Sequence, residues 1–315
     1  MTTTAHVPAL PGDLVAAVDA YRAARLARID DICALLPVEV PPWSDALTAA
    51  PHLQYALAHH LVEELDRAAR AGGAVAARSM LATRANAALL LPLETWVGPV
   101  VVAGATEDAP GYSARAFDTP ALAVGDDARP TADRPDRTLV AEAMARGANA
   151  GFTDLLSRNA RVVVLLTERA LGSEVSSWTT TLLPGTVHLD FHREPVLLAR
   201  DLVHEAAHTA LDDLTRALHV RLPDEPQLFA PWRGSRRPPM AFLHGVWSFA
   251  HVVAYCARVD AAGASPETRE NLAALHARHT QELRDVAADT ERALALVDMP
   301  SLAAHIRGVR EIALP

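Results

Sequence analysis

Apolar residues recur at helical spacing along most of this chain, and three stretches depart from that rhythm enough to suggest strands. From Leu14 to about Leu36 the apolar positions Leu14, Val18, Tyr21, Leu26, Ile29 and Ile32 predict a helix, which Pro37 and Pro41-Pro42 bring to an end. Two more helical segments follow between about Ser44 and Leu91, interrupted near Gly72-Gly73. The period is lost between Pro92 and Arg137, where short runs such as Val100-Val-Val-Ala103 alternate with Gly, Pro and Asp, so strands and loops are expected. Helical spacing resumes from Asp136, a candidate N-cap, to about Asn159. Arg161-Val-Val-Val-Leu-Leu-Thr167 then reads as a buried, β-branched strand.

Gly185 to His192 alternates strictly. Period two puts Thr186, His188, Asp190 and His192 on one face and Val187, Leu189 and Phe191 on the other, the pattern of a strand with one core face and one polar face. A long amphipathic helix is expected from Pro195 to about Leu218, then an irregular Pro-rich loop from Pro223 to Pro239, because residues before proline avoid the α region. Helices over Met240–Val259, Pro266–Val297 and Pro300–Ile312 close the chain. The expected fold is α+β and predominantly helical, with a small sheet beside the Pro195–Leu218 helix. Residues 1–135 form a helical N-terminal region with a strand and loop segment, and residues 136–315 form the region that carries that helix.

The helix carries the one stretch that names a chemistry, His204-Glu205-Ala206-Ala207-His208. Residues four apart stack on one helix face, so the imidazoles of His204 and His208 can converge on a metal ion, with Glu205 one position round as a catalytic carboxylate. The plainer alternative is an Ala-rich core helix with two satisfied histidines. Against it stand the apolar neighbours Leu202, Val203, Ala206, Ala207 and Leu211, among which unpartnered ionisable groups are costly. On its own the motif reads as a zinc peptidase with Glu205 as general base.

A catalytic ion needs a third protein ligand. Leu211 and Leu214 stand where a metzincin needs Gly and His. Asp212 shares the face but lies about 6 Å further along the axis, which suits a supporting or solvated role. Glu225 and Glu267, the candidates for a carboxylate ligand, sit beside prolines and at a helix start. His244 on the following helix is the better candidate, and His251, two turns on, is the reserve. His188 and His192 are candidates for substrate contact or support of the ligands. His59 and His60 have no partner at metal spacing and are expected at the surface.

Composition narrows the classes further. Of 315 residues, 50% are hydrophobic and 21% charged, which suits one large or two smaller globular units. The formal net charge of −9 and the lack of a dense Lys/Arg run argue against nucleic-acid binding, with Arg233, Arg236 and Arg237 as the local exception. Cys33 and Cys256, far apart, suggest neither a disulfide framework nor a Cys-based metal site. No signal-like segment opens the chain and no apolar run is read as long enough to span a bilayer, so a cytoplasmic protein without a membrane partner is expected.

Taken together, Leu183-Pro-Gly-Thr-Val-His188, Leu202-Val-His-Glu-Ala-Ala-His208, Pro231-Trp-Arg233, Arg237-Pro238 and His244-Gly-Val-Trp-Ser-Phe249 resemble the His-Glu-x-x-His peptide β-hydroxylases, which depend on iron and 2-oxoglutarate and modify ribosomally made peptides. The resemblance covers roughly residues 180–260. It implies Fe(II) rather than zinc, held by His204, His208 and His244, with 2-oxoglutarate and O2 as co-substrates and a precursor peptide hydroxylated at a side-chain β-carbon. It also implies a cation for the far carboxylate of 2-oxoglutarate, for which Arg233 and Arg237 are the candidates and Arg236 a neighbour, since a guanidinium binds a carboxylate through two hydrogen bonds. Glu205 would then orient a ligand instead of acting as a base. A zinc peptidase and a non-catalytic peptide-binding partner are the competing expectations.

Overall fold

The computed structural model describes residues 9–36, 39–71, 81, 84–85, 90, 92–104 and 134–314. Helices dominate, beside a small mixed sheet, as the periodicity predicts. Helix α1 spans Gly12–Ala34. A single-turn helix α2, Asp45–Thr48, is capped by the Ser44 hydroxyl, which accepts from the Leu47 amide, and leads into α3, Pro51–Ala71. Part of the second helical segment expected before Leu91, and the whole stretch from 105 to 133, lies outside the described residues.

The sheet has the order β1-β2-β4-β3. Its strands are β1 (Val101–Gly104), β2 (Val162–Glu168), β3 (Ser177–Trp178) and β4 (Thr186–Phe191). The first three in spatial order are parallel, and β3 closes one edge antiparallel to β4. Because β1 pairs with β2, the region up to 135 and the region beyond it share one sheet.

Alternation explains the layers. Val101, Ala103, Val162 and Val164 face Leu53, Ala56 and Leu57 of α3. Val102, Val163, Leu165, Val187, Leu189 and Phe191 face the other way, onto helix α4 (Arg134–Gly147) and the long helix α6 (Pro195–Ala217). The expected helix from Asp136 to Asn159 is broken. A wide turn over Ala148–Phe152, with Gly151 at φ 92°, separates α4 from α5 (Thr153–Asn159), a backbone angle that favours glycine.

The polar face predicted for β4 exists, but it is not solvated. Every residue of the strand is buried. Its polar side chains turn towards α3 and the adjoining loops, where the Thr186 hydroxyl meets His60 Nε2 at 2.8 Å and Asp190 pairs with Arg169 at 2.9 Å. His59 and His60, expected at the surface, are buried for the same reason.

Beyond α6 the Pro-rich stretch is ordered, contrary to expectation. It makes a hairpin of β5 (Leu228–Ala230) and β6 (Ser235–Arg237), joined by a 3-10 turn over Pro231–Arg233. Buried Leu228 and Ala230 hold it to the core, and Gly234 at φ 60° reverses the chain. Then come α7 (Pro239–Arg258), α8 (Pro266–Asp285), α9 (Ala287–Leu294) and α10 (Pro300–Ala313). One helix was expected where α8 and α9 stand, and no Gly or Pro marks the break at Val286. By length and composition α7 would pass for a membrane span, which the reading of the sequence did not anticipate. Its apolar stretch is nevertheless 67% buried inside the protein, where it packs on α6, α8 and α10.

A buried ion pair ties α1 to α6. Arg22 Nε donates to Asp213 Oδ2 at 2.7 Å, while its other nitrogens donate to Asn159 Oδ1 and the Arg158 carbonyl. Elsewhere burial pulls His59, His251 and His305 down to about 4 from an ordinary 6.5. The unfolded chain therefore takes up protons below pH 6.5 that the folded chain refuses down to about 4. Asp201, Glu205 and Asp212, shifted up by burial, oppose this slope but are three against those histidines together with His52, His60, His204, His208, His244 and His279.

Two outcomes are expected. Stability of the metal-free protein falls as pH drops from 7 towards 4, by about 1.4 kcal/mol per pH unit for each net histidine; a urea midpoint that stays level between pH 7 and 5 would contradict the burial of these rings. Arg22→Ala leaves Asp213 buried without its cation and costs about 3–5 kcal/mol in chemical denaturation, whereas a loss below about 1 kcal/mol would mean the pair is solvated.

Candidate functional site

Helix α6 carries one ionisable side chain per turn on one face, in the order Arg200, His204, His208 and Asp212. Helix α7 crosses beside it, and its register is set by Trp247, whose indole N–H donates to the Ala207 carbonyl at 2.8 Å. That bond holds His244, one turn earlier on α7, against His208. The two rings stack with centroids 5.7 Å apart, and their Nδ1 atoms are 3.5 Å apart. The His204 ring stands edge-on to His208 at 4.8 Å. The structure thus brings together His204, His208 and His244.

Burial pushes all three imidazoles towards the neutral form. His204 falls to about 3 and His244 to about 4, and His208 lies well below its ordinary value. Neutral rings present lone pairs, as metal ligands must. The side chains of His204 and His244 keep 18% and 16% exposure, so a small ligand can reach them. Asp212 Oδ1 lies 3.5 Å from His244 Nε2. A proton on Nε2 facing that carboxylate leaves the Nδ1 lone pair turned towards His208, the arrangement that commonly orients a ligating histidine.

Two nitrogens bound to one ion at about 2.1 Å each, near the tetrahedral angle, stand about 3.4 Å apart. The His208–His244 pair matches that spacing. His204 does not complete the set as it stands, because its Nε2 lies 3.9 Å from Glu205 Oε1. Among the described residues no group of three His, Cys, Asp or Glu side chains converges on a single point. The donor set fits a metal in chemistry, and two of its three members fit in spacing.

Glu205 Oε1 lies between the histidine row and the sheet edge, 3.9 Å from His204 Nε2. Ser177 lies opposite Leu189 in the β3–β4 pair and therefore takes the α6 face, where its hydroxyl donates to Glu205 Oε1 at 2.6 Å. Burial raises Glu205 to about 7, against the Ser177 hydrogen bond and the charge of Arg233, which hold it down. Its carboxyl thus stands near the midpoint of titration at neutral pH.

The arginines separate. Arg233, on the turn between β5 and β6, acts electrostatically on His204, Glu205 and His208, and forms no ion pair among the described residues. Arg236 and Arg237 are exposed on β6, and Arg236 donates to the Gln227 carbonyl. Arg233 is held in place by its neighbour Trp232, whose ring packs between Phe242 and Phe249 at 5.7 and 5.4 Å. Gly245 makes room for it: a Cβ there would come within 2.3 Å of the indole.

His251 is buried, with Nδ1 2.8 Å from the Trp247 carbonyl, and packs against Trp247 and Phe152. His188 stacks on Trp178 at 5.5 Å, on the sheet face turned away from α6. His192, just past β4, places Nδ1 2.9 Å from the Arg169 carbonyl. None of these three joins the histidine row. Sequence reasoning missed Ser177, Arg200, Phe249 and His279. Phe249 packs on His204 at 4.9 Å and on His279 of α8 at 4.4 Å, and Arg200 is paired with Asp201 one turn before His204. Arg200 was legible, since it precedes His204 by four residues. Ser177 and His279 arrive through strand register and helix packing, for which the chain has no local signal.

Gly245→Ala is expected to expel Trp232 and cost about 1–3 kcal/mol, with a change in tryptophan emission. An unchanged denaturation midpoint and spectrum would show that the indole does not rest on this glycine. No family model and no curated protein matches the chain.

Proposed function

We propose that the chain is an iron- and 2-oxoglutarate-dependent oxygenase that hydroxylates a side-chain β-carbon of a ribosomally made peptide, with the motif helix as its metal-binding helix. The observation that carries this reading is a row of neutral histidines, His204, His208 and His244, lying beside an unpaired arginine, Arg233. A guanidinium beside the histidines suits the far carboxylate of a dicarboxylic co-substrate, although a peptidase can also use one to stabilise its oxyanion.

In this reading His204, His208 and His244 hold Fe(II), and Asp212 orients His244. When bound, the iron with 2-oxoglutarate and O2 supplies the oxidising equivalents for C–H hydroxylation, with succinate and CO2 released. Arg233 takes the far carboxylate of the co-substrate through a charge-assisted fork, in preference to Arg237, because Arg233 is among the leading charges acting on His204 and His208. Phe249 and Trp232 wall the row and limit water. Glu205, tied to Ser177 and 3.9 Å from His204 Nε2, orients that ligand in this reading. The rival zinc peptidase draws on the same Glu205, because a carboxyl near 7 beside His204 suits a general base.

Anaerobic loading with Fe(II) and 2-oxoglutarate, followed by O2 and a candidate precursor peptide, is expected to yield peptide heavier by one oxygen together with succinate. Hydrolysis with zinc and no 2-oxo acid would overturn the oxygenase reading. His244→Ala should remove bound iron and Asp212→Asn should weaken it about 10–100-fold, while His251→Ala leaves it in place; the reverse result moves the third ligand to His251. Arg233→Ala is expected to raise the 2-oxoglutarate requirement about 10–100-fold at near-normal iron content. If Arg237→Ala does so instead, the co-substrate lies on the other arginine.

A further inference from the structure

Arg233, Arg236 and Arg237 fall within five residues, and all three side chains are exposed. The formal net charge is −9, so this local excess of cations does not follow from composition. Several exposed arginines elsewhere are matched to acids, Arg193 with Asp136 and Glu168, Arg278 with Glu282, Arg292 with Asp289, and Arg307 with Glu291, while those without an ion pair among the described residues, such as Arg28, Arg221, Arg269 and Arg284, stand singly along the chain instead of three within five residues. On the hairpin no carboxylate pairs with any of the three among the described residues, and the only hydrogen bond there is from Arg236 to a carbonyl.

The backbone beneath them is also unfilled. The sheet formed by β5 and β6 has two strands only. Its β5 side is held to the core by Leu228 and Ala230 and packs against α7, while all three residues of β6 are exposed. An exposed strand edge offers main-chain donors and acceptors to an extended peptide. Phe229, directly across from Arg236 in the register, leaves its ring 46% exposed on the outer face. Arg236 and the half-exposed ring of Phe229 thus share the outer face beside an open edge, Arg237 lies on the other face with Leu228, and the turn end carries Arg233, which acts electrostatically on the histidine row.

We infer that this hairpin is the docking strip for the substrate, and that the segment it takes is an extended, acidic peptide stretch adjoining the residue to be modified. The strand edge holds the peptide main chain, Arg236 and Arg237 pair with its Asp or Glu side chains, and Phe229 packs on the aliphatic side chains between them. The inference rests on the reading of a peptide as substrate, but its test needs no turnover.

The test is binding of short labelled peptides to the metal-free full chain by fluorescence anisotropy. A Glu-rich extended peptide is expected to bind, and to weaken with added salt because the contacts are ionic. The same peptide with Lys for Glu is expected not to bind. Arg236→Glu should weaken the Glu-rich peptide at least tenfold, and Phe229→Ala should weaken it without changing the salt dependence. Circular dichroism and the denaturation midpoint show whether each variant is folded. Equal binding of both peptides, tighter binding of a single-stranded oligonucleotide, or a folded Arg236→Glu variant with unchanged affinity would overturn the inference. Peptide binding without hydroxylation would overturn the oxygenase reading alone, and hydroxylation of peptides that ignore Arg236 would overturn the docking strip alone.

Discussion

Helix α6 is buried along most of its length and yet carries Arg200, Asp201, His204, Glu205, His208, Asp212 and Asp213. A charge in such a place costs several kcal/mol unless it is paired or neutralised, and the architecture is arranged around meeting that demand. Asp213 takes Arg22 from α1, Glu205 takes the Ser177 hydroxyl from the sheet edge, Arg200 and Asp201 take each other, and Asp212 lies against His244 of α7. The histidines answer by losing their protons. Asp213, Glu205 and Asp212 thus each meet a different neighbour, and these contacts tie α1, β3 and α7 to the helix.

The same demand shapes the site. Burial drives the rings of His204, His208 and His244 towards the neutral form, which a metal site would require of them. Two apolar devices complete the geometry. The Trp247 indole on the Ala207 carbonyl sets the register of α7 on α6, and the missing side chain at Gly245 seats Trp232, which carries Arg233 to the histidine row. Chemistry and packing are therefore not separable here: a change at Gly245 or Trp247 acts on the site without touching a ligand.

Local pattern made much of this legible. Helical spacing located α1, α6, α7 and α10 within a few residues, β-branched content located β2, and strict alternation located β4. It failed where a segment's surroundings, not its own residues, decide its state. The polar face of β4 looked solvated, but Thr186 and Asp190 find His60 and Arg169 and are buried with them. His60 looked superficial because it meets a strand more than a hundred residues away, at Thr186. The stretch after Pro223 looked irregular, yet buried Leu228 and Ala230 fold it into a hairpin.

By itself the sequence determined that residues 204 and 208 share a helix face, since that follows from the repeat of the helix alone, and it narrowed the third member of the row to two histidines on the next helix. Tertiary structure decided between them: His244 stands against His208, whereas His251 has its Nδ1 at a backbone carbonyl. It also decided that Glu205 accepts from Ser177, that Arg233 acts electrostatically on the histidines, and that His188 belongs to the far side of the sheet. The physical reason is that spacing along one element fixes directions only within that element. Which side chains meet across elements depends on strand register, on the seating of Trp247 and Trp232, and on the cost of leaving a buried charge without a partner.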